Sequence, residues 1–203
     1  MSRPFAIVGT GGFAIELCAV VRAAGLRVLG FIGPQAEVPL PAPYLGADDL
    51  LDSVGPDTDV LVAIGDPSVR KRLCELVLIK KSSLASFVSP NAFVAADVVI
   101  GAGTIVYPNA TVHTRVNLGF GVLVNSNATV GHETRIGDYS TIGPGACLGG
   151  RCDIGANVYL GVGCTMLERR RIAPGTIVGA GAVVVKDIDI PGTYVGIPAR
   201  PIS

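Results

Sequence analysis

From Val88 onward, aliphatic side chains recur at every sixth position without a break: Val94, Ile100, Val106, Val112, Leu118, Val124, Val130, Ile136, Ile142, Leu148, Ile154, Leu160, Met166, Ile172, Val178, Val184 and Ile190. The residue after each is most often glycine (101, 119, 131, 137, 143, 149, 155, 161 and 179), and four residues on stands a second compact side chain, such as Thr104, Ala110, Thr134, Ser140, Cys152 or Ala182. A period of six cannot hold one face of a helix that turns every 3.6 residues. It suits a coil of short strands with two inward positions per hexad, one aliphatic and one compact, in which glycine turns the corner. Arg170 is the one bulky charge in the compact series, so an outward bulge is expected over 167–171.

The first part of the chain is patterned differently. Residues 5–9 read as a short buried strand, followed by Thr10, Gly11 and Gly12 and by a helix from about Phe13 to Ala24 that Gly25 ends. A second strand at 27–32, a proline-rich loop (Pro34, Pro39, Pro41, Pro43), a third strand at 59–64 and a helix over 67–80 continue the alternation. Alternating strands and helices imply a small Rossmann-like parallel α/β domain over 1–86, ahead of the coil and a C-terminal cap over 87–203. The Gly9, Thr10, Gly11, Gly12 turn could aim backbone N–H groups and a helix N-terminus at a phosphate. By motif alone it serves equally well as a tight turn. Gly65 and Asp66 form a second loop at a strand end, the edge at which ligands bind in open α/β sheets.

Composition narrows the partners. Sixteen basic and sixteen acidic side chains cancel, with no basic run longer than Arg169, Arg170, Arg171, so nucleic acid and anionic membrane are poorly matched. No apolar stretch approaches the ~18–20 residues of a spanning helix, and the N-terminus runs directly into a strand instead of a leader. Five cysteines without CxxC spacing read as core-filling thiols in a reducing compartment. A cytoplasmic protein without a bound metal is expected.

The coil pattern resembles that of the hexapeptide acyltransferases, and the resemblance extends over the whole chain. The stretches IVGTGGFA (7–14), VAIGDPSVRKRL (62–73), VNSNATVGHETRIGDYSTIGPGA (124–146), VYLGVGCTM (158–166), IVGAGAVVVKD (177–187) and VGIPARP (195–201) are together similar to the bacterial sugar acetyltransferases of the sialic-acid O-acetyltransferase and nucleotide-4-aminosugar N-acetyltransferase type. The resemblance implies a left-handed parallel β-helix, three hexads to a rung. It also implies a homotrimer with active sites between prisms, and acetyl-CoA as cosubstrate.

By the same resemblance His132 is the general base and Glu133 the carboxylate beside it, with the Gly150 amide facing the thioester carbonyl. A neutral imidazole suits proton removal as a nucleophile attacks. The hexad phase separately puts Val130 and Thr134 inside, leaving His132 and Glu133 at a corner facing out. Coenzyme A is expected along Thr141, Gly143, Val162 and Ala180. The acceptor is expected at Gly9, Thr10, Gly11, Gly12, Phe13, Gly65, Asp66 and Asn125. His113 reads as a surface polar residue; with only two histidines, the three-histidine zinc site of carbonic anhydrases on this architecture cannot be assembled. Four residues depart from the relatives: Phe13 and Thr141 stand where histidines are usual, and Gly33 and Pro34 where acidic residues follow the second strand. The expected reaction is acetyl transfer to the amino group of a nucleotide-activated deoxyamino sugar. O-acetylation of a sugar, and a non-catalytic trimer that only binds nucleotide sugars, are the alternatives.

Overall fold

The computed structural model describes residues 3–47, 54–55 and 57–202; Met1 and Ser2, at the start of the chain, lie outside them. Strands β1 (Phe5–Val8), β2 (Val28–Ile32), β3 (Tyr44–Gly46), β4 (Asp59–Val62) and β5 (Ser83–Leu84) form one parallel sheet in the order β3-β2-β1-β4-β5. The helices α1 (Gly12–Ala23) and α2 (Pro67–Ile79) connect them. Gly25, with φ of 75°, closes α1, while Asp66 caps α2 by accepting a hydrogen bond from the Val69 amide at 2.9 Å. β3 and β5 are absent from the sequence-based expectation, and the strand expected over 59–64 ends at Val62.

From Phe87 the chain winds into a left-handed parallel β-helix of two-residue strands. A first face stacks Phe87–Val88, Ile105–Val106, Leu123–Val124, Thr141–Ile142, Tyr159–Leu160 and Ile177–Val178; a second runs from Phe93–Val94 to Val183–Val184; a third from Val99–Ile100 to Arg171–Ile172. Each strand pairs with the one 18 residues on, three hexads later. The expected inward aliphatics are buried from Val106 through Val184, and the compact partners, Thr134, Ser140 and Thr176 included, are buried with them.

Three details differ from the expectation, each for a local reason. The phase ends early: Ile190 is 72% exposed, and Ile188, bridged to Ile172, takes the last inward slot because the final turn is two residues shorter. The 167–171 corner does not bulge, since Arg169 and Arg171 stay in the ladder and Arg170 reaches outward to Asp187 at 3.4 Å. The glycines after each aliphatic do not turn the corner by left-handed geometry. They admit the coil above: a Cβ on Gly131 would lie 2.5 Å from the Gly149 carbonyl carbon.

The left-handed turn falls two residues later, at every sixth position from Gly103 to Gly181. Two of the three corners fill it with glycine or asparagine, apart from Tyr139, which packs against the α/β domain. The corner between second and third faces uses Arg115, Glu133, Arg151 and Arg169, with φ of 57–61°. Holding such a residue there costs roughly 1 kcal/mol more than glycine.

The α/β domain docks on the first face because the outward residues there are apolar. Phe87, Ile105, Leu123 and Tyr107 are buried in one cluster with Phe5, Ile7 and Leu17, and each large apolar side chain so covered contributes on the order of 2 kcal/mol. On the third face the equivalent outward positions are Asn117, Arg135, Asp153 and Arg171, which remain in solvent.

Candidate active site

His132 projects from the corner between the second and third faces, its side chain half exposed. Its Nε2 edge lies over Gly150, one coil above, where a Cβ would stand 2.5 Å from Nε2. Position 150 therefore has room for the imidazole only as glycine. Gly149 and Arg151 give their amides to Met166 and His132, whereas the Gly150 amide between them makes no hydrogen bond among the described residues. The same holds for the His132 amide. Of the two, only the Gly150 amide has an imidazole set over its own residue.

Glu133 points along the corner, with its Oε1 3.9 Å from His132 Nδ1, beyond hydrogen-bond reach. Its carboxylate is taken instead by Arg151 Nε at 2.6 Å and Arg115 Nη2 at 2.9 Å, from the coils above and below. The Arg151 hydrogen bond, with the charges of both arginines, holds the Glu133 carboxyl below the usual carboxylate range.

The residues expected to hold coenzyme A lie on a different corner, between first and second faces. Val162 and Ala180 form an exposed column there, Gly143 is buried where the next coil's Leu160 carbonyl would meet a Cβ at 2.6 Å, and Asn125 stands directly below Gly143. Thr141 does not join them. It is buried in the seam between domains, its hydroxyl hydrogen-bonded to Arg70 at 2.8 Å and donating to the Gly65 carbonyl at 3.2 Å.

In the α/β domain the two glycine loops are adjacent: a Cβ on Gly9, whose φ is 122°, would meet the Ala63 carbonyl at 2.8 Å. Thr10 ties the first loop to the one after β2 by donating to the Pro34 carbonyl at 2.9 Å. Gly11 and Gly12 are exposed at the α1 N-terminus, where phosphate is favoured. Phe13 turns into the seam and stacks on Tyr107, ring centroids 5.4 Å apart. Gly65, Asp66 and Ser68 wall a cleft of about 560 Å³ with Asn157, Tyr159 and Ile177 of the β-helix. Within one chain, therefore, the cleft and His132 lie on different sides of the prism.

Residues 4–77 match the family described as PglD N-terminal domain, and residues 115–150 match the bacterial transferase hexapeptide family (six repeats). The acetyltransferase domain of PglB from Neisseria gonorrhoeae FA1090, solved in complex with acetyl coenzyme A, is 30% identical over 100% of both chains, with a TM-score of 0.94. PerB from Caulobacter crescentus, solved with CoA and GDP-perosamine, is 31% identical over 97% of this chain and 96% of that one, with a TM-score of 0.92. The chain belongs to the hexapeptide-repeat nucleotide-sugar N-acetyltransferases. Two other structures of the Caulobacter protein carry asparagine or alanine in place of one histidine. A shorter match, 39% identical over 51 residues, is to UDP-N-acetylbacillosamine N-acetyltransferase of Bacillus subtilis (strain 168) and spans 24% of that relative's length.

In this N-acetyltransferase chain, one residue that shapes the cleft is missing from the sequence-based set. Arg70 is 1% exposed, and its guanidinium donates to the carbonyls of Ile64, Gly65, Gly121 and Tyr139 as well as to Thr141. Burial lowers its pKa to about 10, which leaves it cationic at neutral pH. The signal was present: Arg70, Leu73, Cys74 and Val77 recur at helical spacing on the buried face of α2. A charge on that stripe marks an interior staple.

Proposed function

We propose that this chain transfers the acetyl group of acetyl-CoA to the amino group of a nucleotide-activated deoxyamino sugar, with His132 as general base. The observation that carries the assignment to His132 is its placement: an open imidazole in a position that only a glycine at 150 leaves free, beside a backbone amide that makes no hydrogen bond among the described residues. His113, the other histidine, stands on a neighbouring coil beside Phe93.

In the reaction the sugar amine attacks the thioester carbonyl while His132 removes its proton. The carbonyl oxygen gains charge facing the Gly150 amide. As the tetrahedral centre collapses, the C–S bond breaks and the imidazolium returns the proton to the coenzyme thiolate, so the base is regenerated. Val162 and Ala180 offer an exposed apolar column for the coenzyme's arm. The Gly9 to Gly12 turn and the Gly65–Asp66 loop offer backbone N–H groups for the nucleotide.

The cleft and His132 lie on different sides of one prism, and this supports a homotrimer in which the histidine of one copy reaches the cleft of its neighbour. Five free thiols suit a reducing, cytoplasmic setting, and no described helix is long and apolar enough to cross a membrane.

The test is a panel of GDP-, UDP- and dTDP-linked 4-amino-4,6-dideoxy sugars with acetyl-CoA, followed by thiol release and mass spectrometry. An N-acetylated product from at least one of them, with no turnover of the corresponding 4-hydroxy sugars, is expected. Acetylation of the hydroxy sugars alone would contradict the amine assignment.

A further inference from the structure

We propose that Arg115 and Arg151 are positioning residues for the base: by occupying both oxygens of Glu133 they hold its carboxylate beside His132 without letting it pair with the imidazole. The inference rests on the reading of His132 as the base. It concerns how that base is kept ready.

The geometry is a two-sided clamp. Arg151, one coil above, donates from Nε to Oε2 at 2.6 Å, and Arg115, one coil below, donates from Nη2 to Oε1 at 2.9 Å. Arg115 is itself fixed, since its amide donates to Asp97 Oδ1 at 3.1 Å. Oε1 is thereby kept 3.9 Å from Nδ1. A free Glu133 could close that gap by rotating about its side-chain bonds, and the resulting ion pair would favour an imidazolium, which cannot accept a proton.

Stability does not account for this arrangement. Exposed ion pairs contribute little to folding, and the side chains of Arg115 and Arg151 are 68% and 49% exposed. All three residues also occupy left-handed corner positions that the two other corners fill almost entirely with glycine or asparagine. The strained charged residues are concentrated on the corner that carries His132.

The other charged and titratable groups on or beside this corner are Asp97, two coils below Glu133, Glu168 and Arg169, two coils above His132 and Glu133 respectively, Arg170, which pairs with Asp187, His113 beside Phe93, and Arg135, which lines one hollow with Arg115 and Glu133. Asp97 is engaged by Thr114 and by the Arg115 amide. None of these makes an ion pair with His132 among the described residues.

The test uses the protein without substrate, by proton NMR of its two histidines, with His113→Gln assigning the signals. In Arg151→Gln a nearby cation is lost and Glu133 is released, and both changes favour the imidazolium. The titration midpoint of the His132 signal is expected to rise by about half a pH unit relative to wild type, given the distance dependence of screened charges. Arg115→Gln should move it the same way, and Arg151→Lys should undo part of the change. In a Glu133→Gln background, Arg151→Gln should move the midpoint much less. The acidic limb of the pH–rate profile should shift with the midpoint. An unchanged or lowered midpoint in Arg151→Gln, with an unchanged melting temperature, would overturn the proposal and leave the arginines as a surface ladder. Because the signal is read without turnover, that outcome is distinct from failure of His132 as the base, which is read from activity alone.

Discussion

The imidazole of His132 rests on the bare Cα of Gly150, with Nε2 only 2.5 Å from where a Cβ would begin. Gly150 is not in the left-handed region, so its backbone accepts an L side chain. The atoms in the way belong to a half-exposed side chain that can swing aside. Gly150→Ala should therefore fold with a near wild-type melting temperature while displacing the base. Misplacement of about 1 Å costs on the order of 100-fold in turnover, and kcat together with thermal unfolding checks the pair of outcomes.

Arg70→Leu should act on stability first. It leaves the carbonyls of Ile64, Gly65, Gly121 and Tyr139 without this donor in the seam, and buried acceptors stripped of partners cost about 1–3 kcal/mol each when they cannot reach water. Partial rehydration reduces the sum, so a loss of roughly 2–4 kcal/mol is expected from urea unfolding. A shift of the urea midpoint too small to measure would show that the seam does not depend on the guanidinium.

Tyr107→Phe should do the opposite. The Tyr107 hydroxyl is buried without a hydrogen-bond partner among the described residues, and burial drives its pKa far upward. Removing an unpaired buried hydroxyl contributes on the order of 1 kcal/mol, which for a chain of this size corresponds to a melting temperature about 2–4 °C higher. The stack on Phe13 is retained. A fall in melting temperature would mean that the hydroxyl serves a partner after all.

How far the fold is legible in the sequence follows from what each residue does. The inward aliphatics recur because a narrow prism admits nothing else, so the repeat and its phase can be read directly, and they give way only towards its ends, at Val88, Val94 and Ile100 on the first coil and at Ile190, where the last turn is shortened. The true corner positions were open to view as the glycines and asparagines at 103, 109, 121 and 127. The glycines at 101, 119 and 131 stand out equally in the sequence, but it is packing against the next coil that requires them. Arg115, Glu133 and Arg151 occupy the same corner slots with side chains that do not signal left-handed backbone. The site was harder still. His132 and Glu133 drew their roles from resemblance to relatives, and neither the two-arginine clamp nor the burial of Thr141 under Arg70 leaves a local signature. β3, three residues long and following Pro43, is too short to carry a strand pattern of its own.

The split between the cleft and His132 can be tested by mixing subunits. Ser68→Trp should block the cleft from its exposed rim, and His132→Ala should remove the base. Each variant alone should be nearly inactive. Co-expressed in equal amounts, they should recover about a quarter of the wild-type rate, because in the proposed trimer a site works only where an intact histidine meets an intact cleft across a cyclic interface. No recovery from assembled mixed trimers would place both halves of the site in one chain.

The most direct test of the central claim is turnover of His132→Ala with acetyl-CoA and the acceptor identified from the nucleotide-sugar panel. An outward corner residue contributes little to the prism interior, so the variant should fold and assemble as the wild type does. Loss of the general base predicts a fall in kcat on the order of 10²–10⁴-fold, with acetyl-CoA still binding. A folded His132→Ala protein that turns over its acceptor at close to the wild-type rate would contradict the account.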